Sequence, residues 1–279
     1  MKRSNLQHSI LQPRNELKQY VRRILITHGD DNTDEIMPIV PTGFAYLTYS
    51  RYPVMFSYNE RNISTDDNYY LVGQLEHEKP AFSIKGKFFH VGLELYPLVP
   101  FYAFGITGEK LTDTGLISNP LYELVGRDTI DRVEKQDSAE IVAEKLQLIL
   151  VELLRKPPRQ FLLEKCLEEI YASRGNIPVN ELAERLDISE RSLRRQFKEY
   201  VGIGIKKYEK TIQFNSVFET ISNGNHEEIY RMALEHGFYD HAHFINFFTE
   251  LLGTSPQKFI NNPDDFLLTY LSNAKQKIE

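Results

Sequence analysis

Basic side chains are concentrated in one short stretch of this 279-residue chain. The stretch runs from Arg191 to Lys210 and contains seven basic residues but only two acidic ones, Glu199 and Glu209. The seven are Arg191, Arg194, Arg195, Lys198, Lys206, Lys207 and Lys210. Arginine can donate two hydrogen bonds to O6 and N7 of guanine, and both residue types bind phosphate. The stretch therefore predicts a nucleic-acid interface.

The first four of these residues occupy positions i, i+3, i+4 and i+7 of a predicted helix, so they share one face. We expect Arg191 and Arg195 to read bases. We expect Arg194 to read a base or bind phosphate, and Lys198 to bind phosphate, as we also expect of Lys206 and Lys207. A solvated basic helix face without function is the alternative.

The helix that carries this face belongs to a pattern that recurs 51 residues later. Ser189 and Asp240 are both good N-cap residues, and Gly202 and Gly253 can both end a helix. Apolar residues match at the same offset: Leu193 with Phe244, Phe197 with Phe248, and Tyr208 with Phe259. An internal repeat of this kind predicts a duplicated structural unit.

Each copy begins with a further short helix, so each copy has the pattern of a helix-turn-helix motif. Leu182-Ala183 marks that helix in the first copy and Ala233-Leu234 marks it in the second, where the turn is one residue longer. Between the copies, residues 206–221 are typical of a single helix. If this helix is rigid, the two copies can enter successive major grooves, roughly 34 Å apart.

The second copy predicts a less basic reading surface. Its outer face is formed by His241, Ala242, Ile245, Asn246 and Thr249. Asn246 can pair with N6 and N7 of adenine, and Ala242 or Ile245 can contact a thymine methyl group. His241 and His243 lie about 200° apart on a helix and cannot bind a metal from one face.

Residues 160–262 resemble the DNA-binding domain of AraC-type transcription regulators. In the first copy the resemblance lies in Leu182-Ala183, Ser189, Leu193-Arg194-Arg195-Gln196-Phe197 and Gly202. In the second it lies in Ala233, Gly237-Phe238, Asp240, His243-Phe244, Phe248, Gly253 and Ser255-Pro256. The resemblance implies a sequence-specific regulator that binds double-stranded DNA, is controlled by an effector or a partner protein bound to the N-terminal domain, and contacts RNA polymerase.

The chain departs from the family pattern at three places. Gly204-Ile205 replaces Ser-Pro, Gln213 replaces an arginine of the linker helix, and Asn246 replaces a basic residue. The second copy also has no basic cluster like that of residues 191–210. DNA binding should therefore depend mainly on the first copy and be sensitive to salt.

Residues 1–135 differ from the rest of the chain in their residue pattern, because short aromatic and β-branched runs are separated by turn residues. The runs are Phe44 to Tyr49, Tyr69 to Val72, Phe82 to Ile84 and Phe88 to Leu93. They predict a mainly-β barrel or sandwich, as in the sensory domains of the same family, preceded by a short helix over Leu17 to Ile24. The fold class is thus α+β in two domains, the second being an all-α double helix-turn-helix.

A helix over residues 137–155 should follow the strands, starting at the capping box Asp137-Ser138-Ala139-Glu140. Its apolar band is wider than one stripe, so it must pack on its own domain or form a homodimer. Tandem prolines at Pro157-Pro158 mark the domain boundary. We expect a sensory domain at 1–156, the DNA-binding domain at 157–262 and a tail at 263–279.

Five aromatic residues of the first domain are candidates for effector contact, with plain core packing as the alternative: Tyr46, Tyr49, Tyr70, Phe82 and Phe89. A metal site would need His77, His90 and Glu94, and we expect none. No catalytic motif is present, and Cys166 lies in an apolar run typical of a buried thiol. We therefore expect neither catalysis nor a cofactor.

Composition agrees with a cytoplasmic protein. The chain has one cysteine, no apolar run of the ~20 residues that span a bilayer, and no signal peptide. Its net charge is −6, and residues 159–262 contain 13 basic and 15 acidic side chains, so nucleic-acid binding must rest on local charge. Two alternatives stay open: a β-barrel enzyme fused to a DNA-binding module, and a degenerate module that binds only protein.

Overall fold

The computed structural model describes residues 6–58, 61–65, 68–76, 81–113, 126, 132–154, 160–222, 229–262, 267, 270 and 271. The chain divides into two compact units, one rich in strands and drawn mainly from residues before 160, the other helical and drawn mainly from later residues. Val40–Gly43 belong to the helical unit and Glu199–Gly202 to the strand-rich unit. The predicted boundary at residues 156–159 lies outside the described residues.

The strand-rich unit contains two antiparallel sheets. Its strands are β1 (Gln7–Leu11), β2 (Val21–Gly29), β3 (Asp34–Pro38), β4 (Ala45–Ser50), β5 (Val54–Tyr58), β6 (Arg61–Thr65), β7 (Tyr69–Val72), β8 (Ala81–Lys85) and β9 (Phe88–Leu95). One sheet has the order β1-β2-β9-β4-β7 and the other β3-β8-β5-β6. The expected mainly-β architecture is confirmed, as two open sheets whose described strands do not pair into a closed barrel.

The predicted helix over Leu17 to Ile24 is wrong. Residues Asn15–Leu17 form a single 3-10 turn, and β2 begins at Val21. Leu17, Val21 and Ile24 are spaced four and three apart, which imitates a helical stripe. The β-branched residues of this segment instead pair with β1 on one side and β9 on the other, and tertiary pairing overrides the local pattern.

The two faces of the five-stranded sheet differ in chemistry. Paired residues share a face, and the row formed by Ile24, Leu93, Leu47 and Leu71 is apolar. The opposite face meets the other sheet, because the Phe82 ring of β8 lies 6.1 Å from that of His90. Polar and charged side chains dominate this inner face: Arg23, Thr27, His90, Glu94, Tyr46, Thr48, Ser50 and Tyr70.

Among the described residues, three helices accompany the sheets: α1 (Val99–Phe104), α2 (Gly108–Leu111) and α3 (Ala139–Leu153). Helix α3 contacts β9 and α1 and buries Val142, Leu146, Ile149 and Leu150. Its N-cap is Ser138, whose Oγ accepts from Ile141 N at 3.4 Å. The helix therefore begins one residue later than the predicted capping box, whose Asp137 is not the N-cap but accepts from Lys145 Nζ at 2.7 Å.

A buried ion cluster lies at one end of the inner face. Glu94 is fully buried and accepts hydrogen bonds from Arg22 Nη1 (2.9 Å), Arg23 Nε (2.7 Å) and the Tyr46 hydroxyl (2.6 Å). Burial alone would raise the pKa of Glu94, but the two guanidinium groups and these hydrogen bonds hold that pKa below its usual range. Two cations thus share one carboxylate in the interior.

The helical unit contains seven helices among its described residues. They are α4 (Phe161–Ala172), α5 (Val179–Arg185), α6 (Glu190–Val201), α7 (Ile205–Ser222), α8 (Ile229–Glu235), α9 (His241–Leu252) and α10 (Pro256–Asn261). Helices α5 and α6 form the first motif and α8 and α9 the second. The connecting turns span residues 186–189 and 236–240, so the second is one residue longer, as the sequence predicts.

We predict that Glu94→Gln lowers the free energy of unfolding by about 3–5 kcal/mol, because Arg22 and Arg23 stay buried without their counter-charge. Tyr46→Phe removes one hydrogen bond to the same carboxylate and should cost less, about 1.5–3 kcal/mol. Urea unfolding followed by circular dichroism measures both. In the wild type, Glu94 stabilises the fold at neutral pH, and this stabilisation is lost as the pH falls through the lowered pKa of Glu94. The free energy of unfolding of Glu94→Gln should not show this loss in acid. Equal stability of Glu94→Gln and wild type at pH 7 would refute the assignment.

Candidate nucleic-acid interface

Helix α6 is held by its cap and by two fully buried side chains. Ser192 N donates to Ser189 Oγ at 3.3 Å, so Ser189 is the N-cap. Leu193 and Phe197 have no exposed surface, and the Phe197 ring meets the Tyr208 ring edge-on at 5.4 Å. The inward face of α6 is therefore fixed, which leaves the face with the basic residues outward.

All four predicted basic residues of α6 are exposed: Arg191, Arg194, Arg195 and Lys198. Arg194 donates from Nε (2.8 Å) and Nη2 (2.6 Å) to Glu190 Oε1. The pair is solvent-exposed, with each side chain 44% accessible. Exposed i,i+4 pairs contribute only about 0.3–0.5 kcal/mol, so a phosphate can replace Glu190 at little cost.

Two further lysines continue the basic surface at the start of α7. Lys206 and Lys207 are both exposed. Lys206 Nζ lies 3.2 Å from Glu209 Oε2, and burial raises the pKa of Glu209 despite the nearby cations. Lys206 thus has an acidic neighbour on the same helix.

Helix α9 repeats the arrangement with different chemistry outside. His243 N donates to Asp240 Oδ1 at 2.7 Å, and Gly253 ends the helix with φ of 71°. Phe244 and Phe248 are fully buried. The predicted outer residues point as expected, with Ile245 half-buried and the others exposed: His241, Ala242, Asn246 and Thr249.

One residue that the sequence analysis missed stands out in the second motif. Tyr239 lies in the turn immediately before the cap of α9 and is 89% exposed. A large aromatic side chain next to an N-cap, outside the 51-residue match, is the sequence signal that could have identified it. Its hydroxyl can donate to a phosphate at the entry of α9.

Helix α7 joins the two motifs. It has 18 residues, which corresponds to about 27 Å. Tyr208 near its start packs on the first motif. Phe214 packs on Phe248 of the second motif and Phe218 on Phe259 of α10, with ring centroids 5.6 and 5.3 Å apart. Both motifs are therefore built on one rigid element.

The five candidate effector residues do not form one site. Tyr70 and Phe82 surround His90, with ring centroids 6.0 and 6.1 Å away. Tyr46 shares the inner face but bonds Glu94. Tyr49 and Phe89 lie on the opposite face of the sheet, 6.5 Å from each other.

His90 carries one of the buried polar atoms of this region that have no hydrogen-bond partner. Its Nε2 is buried and has no hydrogen-bond partner among the described residues, and burial lowers its pKa to about 4. The imidazole is therefore neutral at pH 7 and can donate or accept. The ring also stacks on Phe88 at 5.9 Å.

The described part of the chain contains neither a metal cluster nor a membrane-spanning helix. No three or more His, Cys, Asp or Glu side chains of these residues converge as metal ligands, and His77 lies outside them. No described helix combines the length and apolar character needed to cross a membrane. Cys166 is buried, and burial raises the pKa of its thiol to about 12.

Solved structures with some likeness to the chain include two of ToxT from Vibrio cholerae. One is 9% identical with a TM-score of 0.49 and covers 92% of this chain and 98% of that one. The other, bound to (E)-4-(8-methylnaphthalen-1-yl)but-3-enoic acid, is 12% identical with a TM-score of 0.48 and covers 92% and 99%. The AraC-like transcriptional activator CuxR is 11% identical with a TM-score of 0.29 and covers 70% and 80%.

No curated protein sequence matches the chain. A family model described as a helix-turn-helix domain, of the AraC type, matches residues 182–262. The match begins within α5 and ends just after α10, so it spans both motifs and the helix between them. The assignment rests on this match together with the duplicated caps and buried residues. Residues 182–262 are therefore a helix-turn-helix domain of the AraC type.

Proposed function

We propose that the chain is a sequence-specific regulator that reads DNA chiefly through α6. The observation that carries the proposal is the exposed basic face of α6, directly opposite two fully buried side chains of a helix-turn-helix motif. Arg191 and Arg195 read bases, Arg194 exchanges Glu190 for DNA, and Lys198, Lys206 and Lys207 bind phosphate. Such a protein works in the cytoplasm, where the DNA is.

Helix α9 contributes in a different way. Its outer face has no arginine or lysine, so contacts there depend on Asn246, on His241 and Thr249, and on apolar contact from Ala242 and Ile245. Tyr239 adds a phosphate contact at the start of the helix. The first motif thus supplies most of the affinity and the second adds sequence preference.

Selection from random duplex DNA by the purified full-length protein tests the proposal. We expect enrichment of a site with two parts about one helical turn apart, the stronger part read by α6. Failure to enrich any sequence at low salt would refute sequence-specific reading and favour the protein-binding alternative. An enzyme fused to a DNA-binding module would instead be indicated by turnover that depends on the strand-rich unit.

Control by a small molecule is the second part of the proposal. The inner face of the five-stranded sheet combines polar groups with the rings of Tyr70, Phe82 and Phe88 around His90. Buried polar atoms without partners are uncommon in native interiors, and His90 Nε2 is one among the described residues. A compact ligand with an aromatic body and one hydrogen-bonding group suits this surrounding.

Two protein partners complete the proposal. Helix α3 leaves Ile141 and Leu148 exposed, at 47% and 40%, and these residues are seven apart on one face. A second copy of the chain can cover this face, as expected for a homodimer formed through residues 137–155. RNA polymerase is the other partner that a regulator of this type implies.

We predict that Arg195→Ala weakens binding to the selected site by about 1–3 kcal/mol and relaxes the preference at one base pair, because a bidentate base contact is lost. Fluorescence anisotropy with the selected site and its single-base variants measures both effects. Arg231→Ala is the matched control, since Arg231 is an exposed arginine of α8 that pairs with Glu235. A loss of the same size on every sequence would remove the base-reading role of Arg195.

We predict that Lys207→Ala leaves the preferred sequence unchanged but flattens the dependence of affinity on salt. Loss of one phosphate contact should reduce the slope of log K against log salt by about 0.9. Binding titrations at several salt concentrations between about 50 and 200 mM give the slope of log K against log salt. Lys165→Ala on α4, also an exposed lysine, serves as control. An unchanged slope would contradict phosphate contact by Lys207.

We predict that His90→Leu abolishes effector binding, because it removes the hydrogen-bonding atom and keeps an apolar side chain. A library of small aromatic acids, amides and alcohols is screened by thermal unfolding, where a compound at 100 times its Kd adds about 2.7 kcal/mol to the free energy of unfolding. Tyr49→Phe, on the opposite face of the sheet, should retain the response. Equal stabilisation of wild type and His90→Leu by the same compound would exclude His90 from the site.

A further inference from the structure

Helix α7 carries a buried amide near its midpoint that links two turns of the helical unit. Gln213 is 5% exposed. Its Nε2 donates to the carbonyl of Gly175 at 2.8 Å, and its Oε1 accepts from Lys210 Nζ at 2.9 Å. The amide thus uses both ends of its side chain, and its orientation is fixed.

The Gly175 carbonyl belongs to the turn between α4 and α5, which leads into the first motif. Gly175 has φ of 75°, and a Cβ there would lie 2.3 Å from the Glu209 carbonyl oxygen of α7. The turn therefore rests directly on the α7 backbone. Gln213 anchors it through the carbonyl, so the entry to the first motif is fixed relative to α7.

The second motif reaches the same point through the turn between α8 and α9. Gly237 has φ of 87°, and a Cβ there would lie 2.9 Å from Gln213 Nε2 and 2.6 Å from Asn176 Oδ1. The next residue, Phe238, has its ring centroid 4.9 Å from Lys210 Nζ. Both motifs therefore meet around one pair of side chains, Gln213 and Lys210.

These polar contacts differ in kind from the aromatic packing that surrounds them. Burial of Phe214 and Phe218 stabilises the domain but is non-directional, so it leaves freedom for one motif to rotate about α7. Hydrogen bonds weaken steeply when their angles change, so they restrict rotation. Reading two successive major grooves requires a fixed angle between α6 and α9.

We propose that Gln213, held by Lys210, is a positioning residue that sets the angle between the two motifs and so the spacing of the half-sites that the protein accepts. The proposal rests on the proposed function, because it presumes that both motifs engage DNA. Gln213 itself is buried, so its side chain is not available for a DNA contact. Its effect should appear in spacing preference, which loss of a DNA contact would not change.

The test compares three DNA duplexes with the full-length protein: the selected two-part site, the same site with the α9 half scrambled, and the site with two base pairs inserted between the halves. Gln213→Met keeps side-chain length but can neither donate to Gly175 nor accept from Lys210. We expect about five- to tenfold weaker binding to the two-part site, the scale of one or two lost hydrogen bonds. Binding to the single half-site should change less than twofold, and the penalty for the insertion should shrink.

Two further variants make the result interpretable. Gln257→Met changes the same residue type at an exposed position of α10 and should behave as wild type on all three duplexes. Gln213→Glu still accepts from Lys210 but cannot donate to Gly175 when ionised, and it should show the same selective loss if Gln213→Met does not fold. Equal losses on the two-part and single sites, or none on either, overturn the proposal.

Failure of the proposed function gives a different result from failure of this inference. If the wild type enriches no sequence, sequence-specific reading is refuted and the inference falls with it. If the wild type enriches a single half-site only, reading by α6 stands and the positioning role of Gln213 is refuted. If a two-part site is enriched but Gln213→Met keeps the wild-type spacing preference, only the inference is refuted.

Discussion

The helical unit depends on one constraint: neither helix-turn-helix motif can bury a core of its own. Each has a short first helix of seven residues and a twelve-residue second helix. Helix α7 supplies aromatic side chains to both cores. Tyr208 packs on Phe197 of the first motif, whereas Phe214 and Phe218 pack on the side of the second motif. Stability and geometry are therefore coupled, because the helix that completes both cores also sets the distance between the two reading helices.

Charge is distributed unequally over this symmetric scaffold. The buried positions match across the repeat, whereas the outer face of α6 is cationic and that of α9 is neutral. A domain whose total charge is slightly acidic can still bind DNA, since phosphate responds to the local field and distant charges are screened within about 10 Å at 0.1 M salt. The duplication preserved what folding requires and left the surface residues free to diverge.

The sequence predicted the helical unit well and the strand-rich unit only in outline. Caps such as Asp240 and glycine ends such as Gly253 are local signals, so they could be read directly. The helix predicted over Leu17 to Ile24 is wrong because pairing with β1 and β9, and not the local sequence, determines the structure of this segment. That Tyr49 and Tyr70 lie on opposite faces of the sheet follows only from the strand register. The proposed role of Gln213 depends on turns that lie 38 and 24 residues away in the chain, and a single sequence does not show that these turns are close to it.

The inner face of the five-stranded sheet raises a question of energetics that bears on regulation. A domain selected for stability alone would turn hydroxyls and charges outward, since a buried polar group without partners costs about 1–3 kcal/mol. Here Thr48 and Ser50 bond to Tyr70, and Glu94 is saturated by arginines and a tyrosine, so most of this cost is offset internally. Among the described residues, His90 Nε2 is one of the buried polar atoms whose cost is not offset, and it lies in the part of the face where aromatic rings converge. Under the proposed control by a small molecule, the ligand would supply the hydrogen bond that His90 Nε2 lacks. Because such a ligand would bind only the folded unit, its binding energy would add to stability, which is how a sensory domain can report occupancy.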